Sequence, residues 1–400
     1  MKLGKSILRY SACTMLILLG MASCYQFETE EEENQPIYDR TVLVYMAAEN
    51  SLSEFSQEDI EEMMQAIGSI PSNSRLIIYL DDTNLPRILT IEEDKGSMVS
   101  RLLYEYPEDL NSSDAATLRQ VAEWTADHYP SSSYGLVMWS HGDAWIPTKS
   151  PIQRSICIDN ERNSHSNKGS KMNINDMADA LKDFNRFEFI LFDACFMQAV
   201  EVAYTLRKIT RYIVASPAEV PGPGAPYNTL LAPMFSSPLN IKLLVDTYYQ
   251  EYSEDNTYGV CLSAVDCNHL ETLASATTDM IVKYASMEHE ISLDSIQCYY
   301  TAKSNLYPEY YDMNGYMSRL ITNDYDYVYW RSIFDQAVFH KQTTDRWYSV
   351  YTDKREHVDI KNYGGISCYV PQKASTHNIF NEQYRTTQWY EVSGWKIMGW

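Results

Sequence analysis

The chain has 400 residues, 45% of them hydrophobic and 13% aromatic, with 54 acidic against 32 basic side chains. That length and composition allow a sizeable buried core, in one large domain or two ordinary ones. A formal charge of −22 argues against a nucleic-acid partner, because a phosphate backbone is held by clustered Lys and Arg.

The first 23 residues read as an export signal. Lys2, Lys5 and Arg9 precede a short apolar run containing Met15-Leu-Ile-Leu-Leu19, too short to remain as a membrane span. The run ends in Ala22-Ser23 directly before Cys24, a pattern that resembles a bacterial lipobox and predicts lipidation at Cys24. A plain secretory signal cut nearby ranks second. Residues 24–39 form an acidic tether containing Glu28 and Glu30 to Glu33, which repel one another and keep the segment extended. Such a tether suggests the cell envelope, with the outer membrane and its surface as the expected location. Removing residues 1–23 takes away three basic residues and no acid, so the formal charge falls from −22 to −25.

From Thr41 the pattern alternates. Thr41–Met46 and Arg75–Leu80 are buried-strand runs, with Ile60, Met63, Met64 and Ile67 at helical spacing between them. Residues 87–105 predict a hairpin, and Ser113–Tyr129 a helix. Tyr134–Trp139 is a third buried strand, followed at once by Ser140-His141-Gly142. Residues 143–170 read as a polar, irregular loop, and a helix begins near Asn175. Glu188–Phe192 is a fourth strand, running into Asp193-Ala194-Cys195, and a helix is expected from Cys195 to about Lys208. Tyr212–Ala215 is a strand. Gly259–Val265 and Gly365–Val370 are later ones, with a mainly helical, Tyr-rich stretch over 269–345. Unalternating apolar strands between helices predict an α/β fold with a mostly parallel sheet covered on both faces.

In such sheets ligands sit beyond the carboxyl ends of the strands. His141 and Cys195 both fall there. If their strands are neighbours, the side chains meet across one inter-strand spacing of ~5 Å. An imidazole then takes the thiol proton or stabilises the thiolate, and a helix N-terminus behind Cys195 favours that charge. The N–H groups of Gly142 and Cys195 are positioned to hold an oxyanion. Alone, each residue has a plain reading, the cysteine as a buried inert thiol and the histidine as a hydrogen-bonded loop residue.

Together they form a pattern. Four apolar residues then Ser-His-Gly, and later four apolar residues then Asp-Ala-Cys, resemble the paired signature of caspase-like cysteine peptidases. Thr41 to Leu52, Ser216 to Tyr227 and Gly364 to Pro371 resemble the first strand and loop, the substrate loop and the late strand of the clostripain family. The resemblance is good over residues 40–235 and looser beyond. It implies a caspase-like α/β/α sandwich core over 40–235, with 236–400 completing the sheet and adding helices. It implies a cysteine endopeptidase with a dyad of His141 and Cys195, cutting after Arg or Lys.

A basic substrate side chain needs a carboxylate at the bottom of its pocket. Asp193 stands at the family's matching position, and Asn50, Ser216 and Glu219 at further pocket positions. Asp193 also reads as a cap for the following helix, and Glu219 as a solvated loop charge. Family precursors are cut in a loop after the histidine, and Lys149, Arg154, Arg162 and Lys168 offer such sites here, although an ordinary long surface loop reads the same way. The run His141-Gly142-Asp143-Ala144-Trp145 departs from the family, whose members often carry a small residue two places past the His-Gly. Asp143 puts a carboxylate beside the dyad, where it raises the histidine pKa or crowds the substrate. The resemblance calls for no cofactor in the chemistry and allows calcium, although no EF-hand spacing is present. No metal ligand set is assigned.

Six cysteines follow the tether: Cys157, Cys195, Cys261, Cys267, Cys298 and Cys368. Cys261 and Cys368 lie in strand-like runs and read as buried free thiols. No CxxC pair suggests zinc, and disulfide pairing is not readable. The competing readings are a surface binding protein that keeps this fold without turnover and a lipoprotein module whose 32 tyrosines hold protein or glycan.

Overall fold

The computed structural model describes residues 37–146, 155–160, 169–254, 257–285, 291–299, 310–350, 355–374 and 378–400. Cys24, the signal, most of the tether, and Lys149, Arg154, Arg162 and Lys168 lie outside the described residues. In chain order the strands are β1 (Arg40–Ala47), β2 (Ser74–Asp81), β3 (Arg87–Asp94), β4 (Ser97–Glu105), β5 (Tyr134–Trp139), β6 (Ile156–Asp159), β7 (Ser170–Met172), β8 (Phe187–Asp193) and β9 (Thr210–Ala215). The later ones are β10 (Cys261–Asp266), β11 (Tyr311–Asp312), β12 (Val338–Thr343), β13 (Arg346–Tyr348), β14 (His357–Asp359) and β15 (Ser367–Cys368). Nine of them form the central sheet, in the order β12-β10-β9-β8-β5-β1-β2-β3-β4. The five in the middle, β9 to β2, run parallel; the two at each edge are antiparallel.

The parallel strands read as continuous apolar runs because helices cover both faces. Val42, Val44 and Met46 of β1 face one side. They share a core with α1 (Ser53–Ala66), where Ile60 and Met63 supply the apolar stripe, and with two later helices, Tyr227–Met234 and Ile241–Ser253. Leu43, Tyr45 and Ala47 face the other side. There they pack with α2 (Ala115–His128), α3 (Ile174–Leu181), α4 (Val200–Leu206) and, further along the chain, Leu270–Tyr284, Met313–Leu320 and Asp324–Ala337. This is the expected α/β/α sandwich.

Four elements differ from the sequence reading. The helix expected from Cys195 begins only at Val200. Phe196 N–H and Gln198 N–H bond to the carbonyls of Ala218 and Ser216, while Ser367 N–H bonds to Gln198. These tertiary pairings, with Phe196 at a left-handed φ of 63°, hold the segment in a turn and outcompete a local helix. The loop 143–170 contains β6, whose Ile156, Cys157 and Ile158 are buried. The helical stretch 269–345 ends in β12, which joins the edge of the sheet, and only Ser367–Cys368 of the expected late strand is extended, paired with β11 outside the central sheet. Among the described residues no helix is long and apolar enough to cross a membrane.

Candidate active site

Five parallel strands end at one edge, and the candidate residues sit on their extensions. Trp139 of β5 lies in register with Asp193 of β8, and Ser140 N–H donates to Asp193 O at 3.4 Å. His141 and Cys195 follow these paired residues by two positions each, so adjacent parallel strands deliver both to the same edge. Gly142 makes the approach possible. A Cβ there would lie 2.7 Å from Cys195 O and 2.9 Å from Ala194 Cβ, distances that only glycine avoids. Beyond it, Asp143 N–H bonds Ser155 O at 2.7 Å and Cys157 N–H bonds His141 O at 3.2 Å. That bridge between Gly142 and Ile156 leaves the Gly142 N–H pointing away from β6.

The histidine has a partner that no sequence signal marks: Ser51 Oγ lies 3.0 Å from His141 Nε2. Cys195, half-buried, is met by the loop after β9. Val220 N–H donates to its sulfur at 3.3 Å, and the thiol in turn faces Val220 O at 3.8 Å. Burial pushes the thiol up to about 12. The carboxylates of Glu219, Asp143 and Asp193 add to the rise, and only the Val220 N–H opposes it. The expected helix dipole is not behind the sulfur, since α4 starts five residues on and the effect fades within one turn.

The pocket candidates behave differently from one another. Asp193 caps no helix. Its Oδ2 accepts from Ala225 N–H and Tyr227 OH, both at 3.0 Å, and its Oδ1 from Tyr248 OH at 3.4 Å. Burial raises its pKa despite these donors, and burial likewise raises the nearby Asp59, whose carboxylate accepts from Trp139 Nε1 at 2.6 Å. Gly224 lies directly over Asp193: a Cβ there would sit 2.8 Å from Oδ2. Glu219 is buried rather than solvated, because Val350 N–H (2.8 Å) and Trp347 Nε1 (3.4 Å) reach its carboxylate. Ser216 closes a tight turn, its hydroxyl bonded to both the N–H and the carbonyl of Ala218 at 3.0 Å. The Asn50 amide ties strand ends together, donating to Ala47 O at 2.8 Å and Ile158 O at 2.9 Å while its oxygen accepts from Leu52 N–H. Asp143 is buried, and Tyr310 OH donates to its carbonyl at 3.0 Å. The six cysteines described are all free, with Cys261 and Cys368 buried as expected.

A histidine and a cysteine on neighbouring parallel strand ends, within an α/β/α sandwich, define the caspase-like class of cysteine peptidases. The model of the Peptidase C11 or clostripain family matches residues 44–400, and the chain belongs to that family. It is similar to a secreted C11 cysteine protease from Bacteroides thetaiotaomicron, solved with an irreversible peptide inhibitor. That similarity is 32% identity over 90% of this chain and 99% of that one, with a TM-score of 0.77. An inactive zymogen C11 protease from Parabacteroides distasonis is 29% identical over the same shares, also with a TM-score of 0.77. Clostripain of Hathewaya histolytica is 26% identical over an alignment of 230 residues that covers 51% of this chain and 43% of that protein. The chain thus spans less than half the length of the curated relative it matches.

Proposed function

We propose that this chain is an exported cysteine endopeptidase that cuts after Arg or Lys, with Cys195 as nucleophile and His141 as its acid–base partner. The register of β5 on β8, which brings both residues to one sheet edge, carries this reading. Ser51 engages His141 Nε2, so proton exchange with the thiol falls to Nδ1. The imidazole takes the thiol proton as sulfur attacks the substrate carbonyl. The N–H groups of Gly142 and Cys195 receive the oxyanion. The tetrahedral intermediate then collapses, expelling the amine with the proton from His141. Water, deprotonated by the same imidazole, releases the acid from the thioester and restores the thiol. This chemistry needs no cofactor.

Asp193 and Glu219 supply the negative charge that favours a basic side chain before the cut bond. The signal-like segment supports export, and the similar protease from Bacteroides thetaiotaomicron is described as secreted. Lipidation at Cys24 and a place at the outer membrane are part of the same proposal. Fluorogenic peptides ending in Arg, Lys, Asp or Leu, offered to wild type and Cys195→Ala with and without calcium, test it. Cleavage after Arg and Lys that vanishes in the variant is expected. Cleavage after Asp or Leu alone, or turnover that survives in Cys195→Ala, would overturn it.

Self-cleavage after one of Lys149, Arg154, Arg162 or Lys168 is expected to precede full activity, a reading supported by the likeness to a zymogen. Intact-mass measurement should show two fragments for wild type and one chain for Cys195→Ala; one uncut chain in both would sink the idea. One observation favours a second reading, a protein- or glycan-binding module with little turnover. Burial, with the charges of Glu219 and Asp143 added to it, pushes the thiol up and favours its neutral form. Absence of turnover even after nicking of the 143–170 loop would select it.

A further inference from the structure

Asp59, in the middle of α1, is 3% exposed and lies against the face of the sheet that Val137, Trp139, Phe189 and Leu191 share. Its Oδ2 accepts from Trp139 Nε1 at 2.6 Å. Trp139 and Asp193 end neighbouring strands in register, so the indole ties Asp59 to the same corner of the sheet as Asp193. Strand alternation turns Asp193 to the face of Leu191, where Tyr227 OH and Tyr248 OH bond it. The loop after β9 lies close over both acids. A Cβ at Gly224 would meet Asp193 Oδ2, and one at Gly222 would lie 3.1 Å from the ring of Phe55 in α1.

The charges that act on Asp59 and Asp193 most strongly are all acidic. Glu58 and Glu62 come from α1, and Glu251 stands behind Glu62 on the helix Ile241–Ser253. Tyr227, Tyr248 and Tyr252 complete the surroundings; burial pushes their hydroxyls up, so they stay neutral and serve as donors. Burial, and then the charge of Asp193, holds the Asp59 carboxyl above the ordinary carboxylate range against the pull of the indole N–H. Burial raises Asp193 too, but Ala225 N–H, Tyr227 OH and Tyr248 OH oppose it. Two buried carboxyls that feel each other do not ionise together. The first proton leaves Asp193, which has three donors, and Asp59 keeps the second.

We propose that Asp59 is a specificity-determining residue, a reserve acid behind Asp193 that ionises when a basic side chain enters the pocket. This rests on the reading of Asp193 as the carboxylate of that pocket. An entering guanidinium or ammonium supplies counter-charge, Asp59 gives up its proton to solvent, and the cation then feels two carboxylates instead of one. A neutral side chain brings no charge and leaves Asp59 protonated. Preference for a basic residue therefore grows with pH, as the proton becomes easier to release.

Two peptides that differ only in arginine or citrulline before the cut bond test this, because the two side chains have nearly the same shape. The ratio of their kcat/KM values cancels the ionisation of Cys195 and His141, which both substrates share. In the parent chain that ratio is expected to rise about tenfold between pH 6 and pH 9. In Asp59→Asn, whose amide oxygen still accepts from Trp139, it should match the parent near pH 6 and stay level above. An acid that merely held the indole would leave the two profiles alike.

Calorimetry with agmatine, a small guanidinium probe, reads the same event without turnover on the full chain carrying Cys195→Ala. In buffers of different ionisation heat at pH 7.5, binding is expected to release about one proton with Asp59 in place and none with Asp59→Asn. No proton release with Asp59 in place, or an arginine preference that stays level from pH 6 to 9, would overturn the role of Asp59 and leave Asp193 as the pocket's acid. Equal cleavage of the two peptides at every pH, or no agmatine binding at millimolar concentration, would instead remove the basic pocket itself and Asp59 with it. The proton count is taken with Asp59 in place, so it decides the matter even if Asp59→Asn fails to fold.

Discussion

Replacing Cys195 by Ala is expected to lower peptide cleavage about 10⁴-fold or more, His141→Ala by a similar factor, and the double variant no further than the worse single one. The reason is that the two act as one unit. Without the sulfur no acyl-enzyme forms, and without the imidazole nothing takes the thiol proton. That requirement is severe here, because the thiol is pushed up to about 12 and ionises poorly unaided. What survives is the oxyanion site and substrate binding. Single-turnover kinetics on nicked protein would check it. Additive losses in the double variant would mean that the residues contribute independently, against the shared mechanism.

The second large effect concerns the thiol in the uncut chain. At pH 7 a group of pKa about 12 is ionised to about one part in 10⁵, against about one part in 30 for an ordinary cysteine near 8.5. Alkylation of Cys195 by iodoacetamide is therefore expected to be about three orders of magnitude slower than for an ordinary exposed thiol. It should rise tenfold per pH unit from pH 7 to 11. Burial and three acids favour the neutral form, so the sign is fixed upward. Glu219→Gln removes the largest single charge and should speed the reaction, while nicking after His141, by freeing the surrounding loops, should speed it more. Peptide mapping reads this at Cys195, apart from the buried Cys157, Cys261, Cys267 and Cys368. A rate already at its plateau at pH 7 would show a preformed thiolate and overturn this account.

Both effects depend on features of unequal legibility. His141 and Cys195 were readable because each stands just past an unbroken apolar run. A run of that kind has to be a strand covered on both faces, and the residues at its carboxyl end have to lie at the sheet edge. β6 carried the same kind of signal in Ile156-Cys157-Ile158, hidden by its polar surroundings. Ser51 against His141 carried none, nor did Val220 on the sulfur. Each joins residues at least 25 positions apart through a loop, and loop conformation is set by what it packs on.

By itself the sequence determined the layers of the sandwich, the strands that present His141 and Cys195, and the glycine that lets them approach. These features arise from local apolar periodicity and from the size of single side chains. The tertiary structure alone decided the state of those groups. It moved the helix start from Cys195 to Val200 by pairing the intervening backbone with Ser216, Ala218 and Ser367, and so took the helix dipole away from the sulfur. It buried Glu219 under Trp347 and Val350, and gathered Glu49, Asp81 and Asp159 from three strand ends into one cluster. Burial and neighbouring charge set a pKa, and both depend on residues far apart in the chain, which no local pattern encodes.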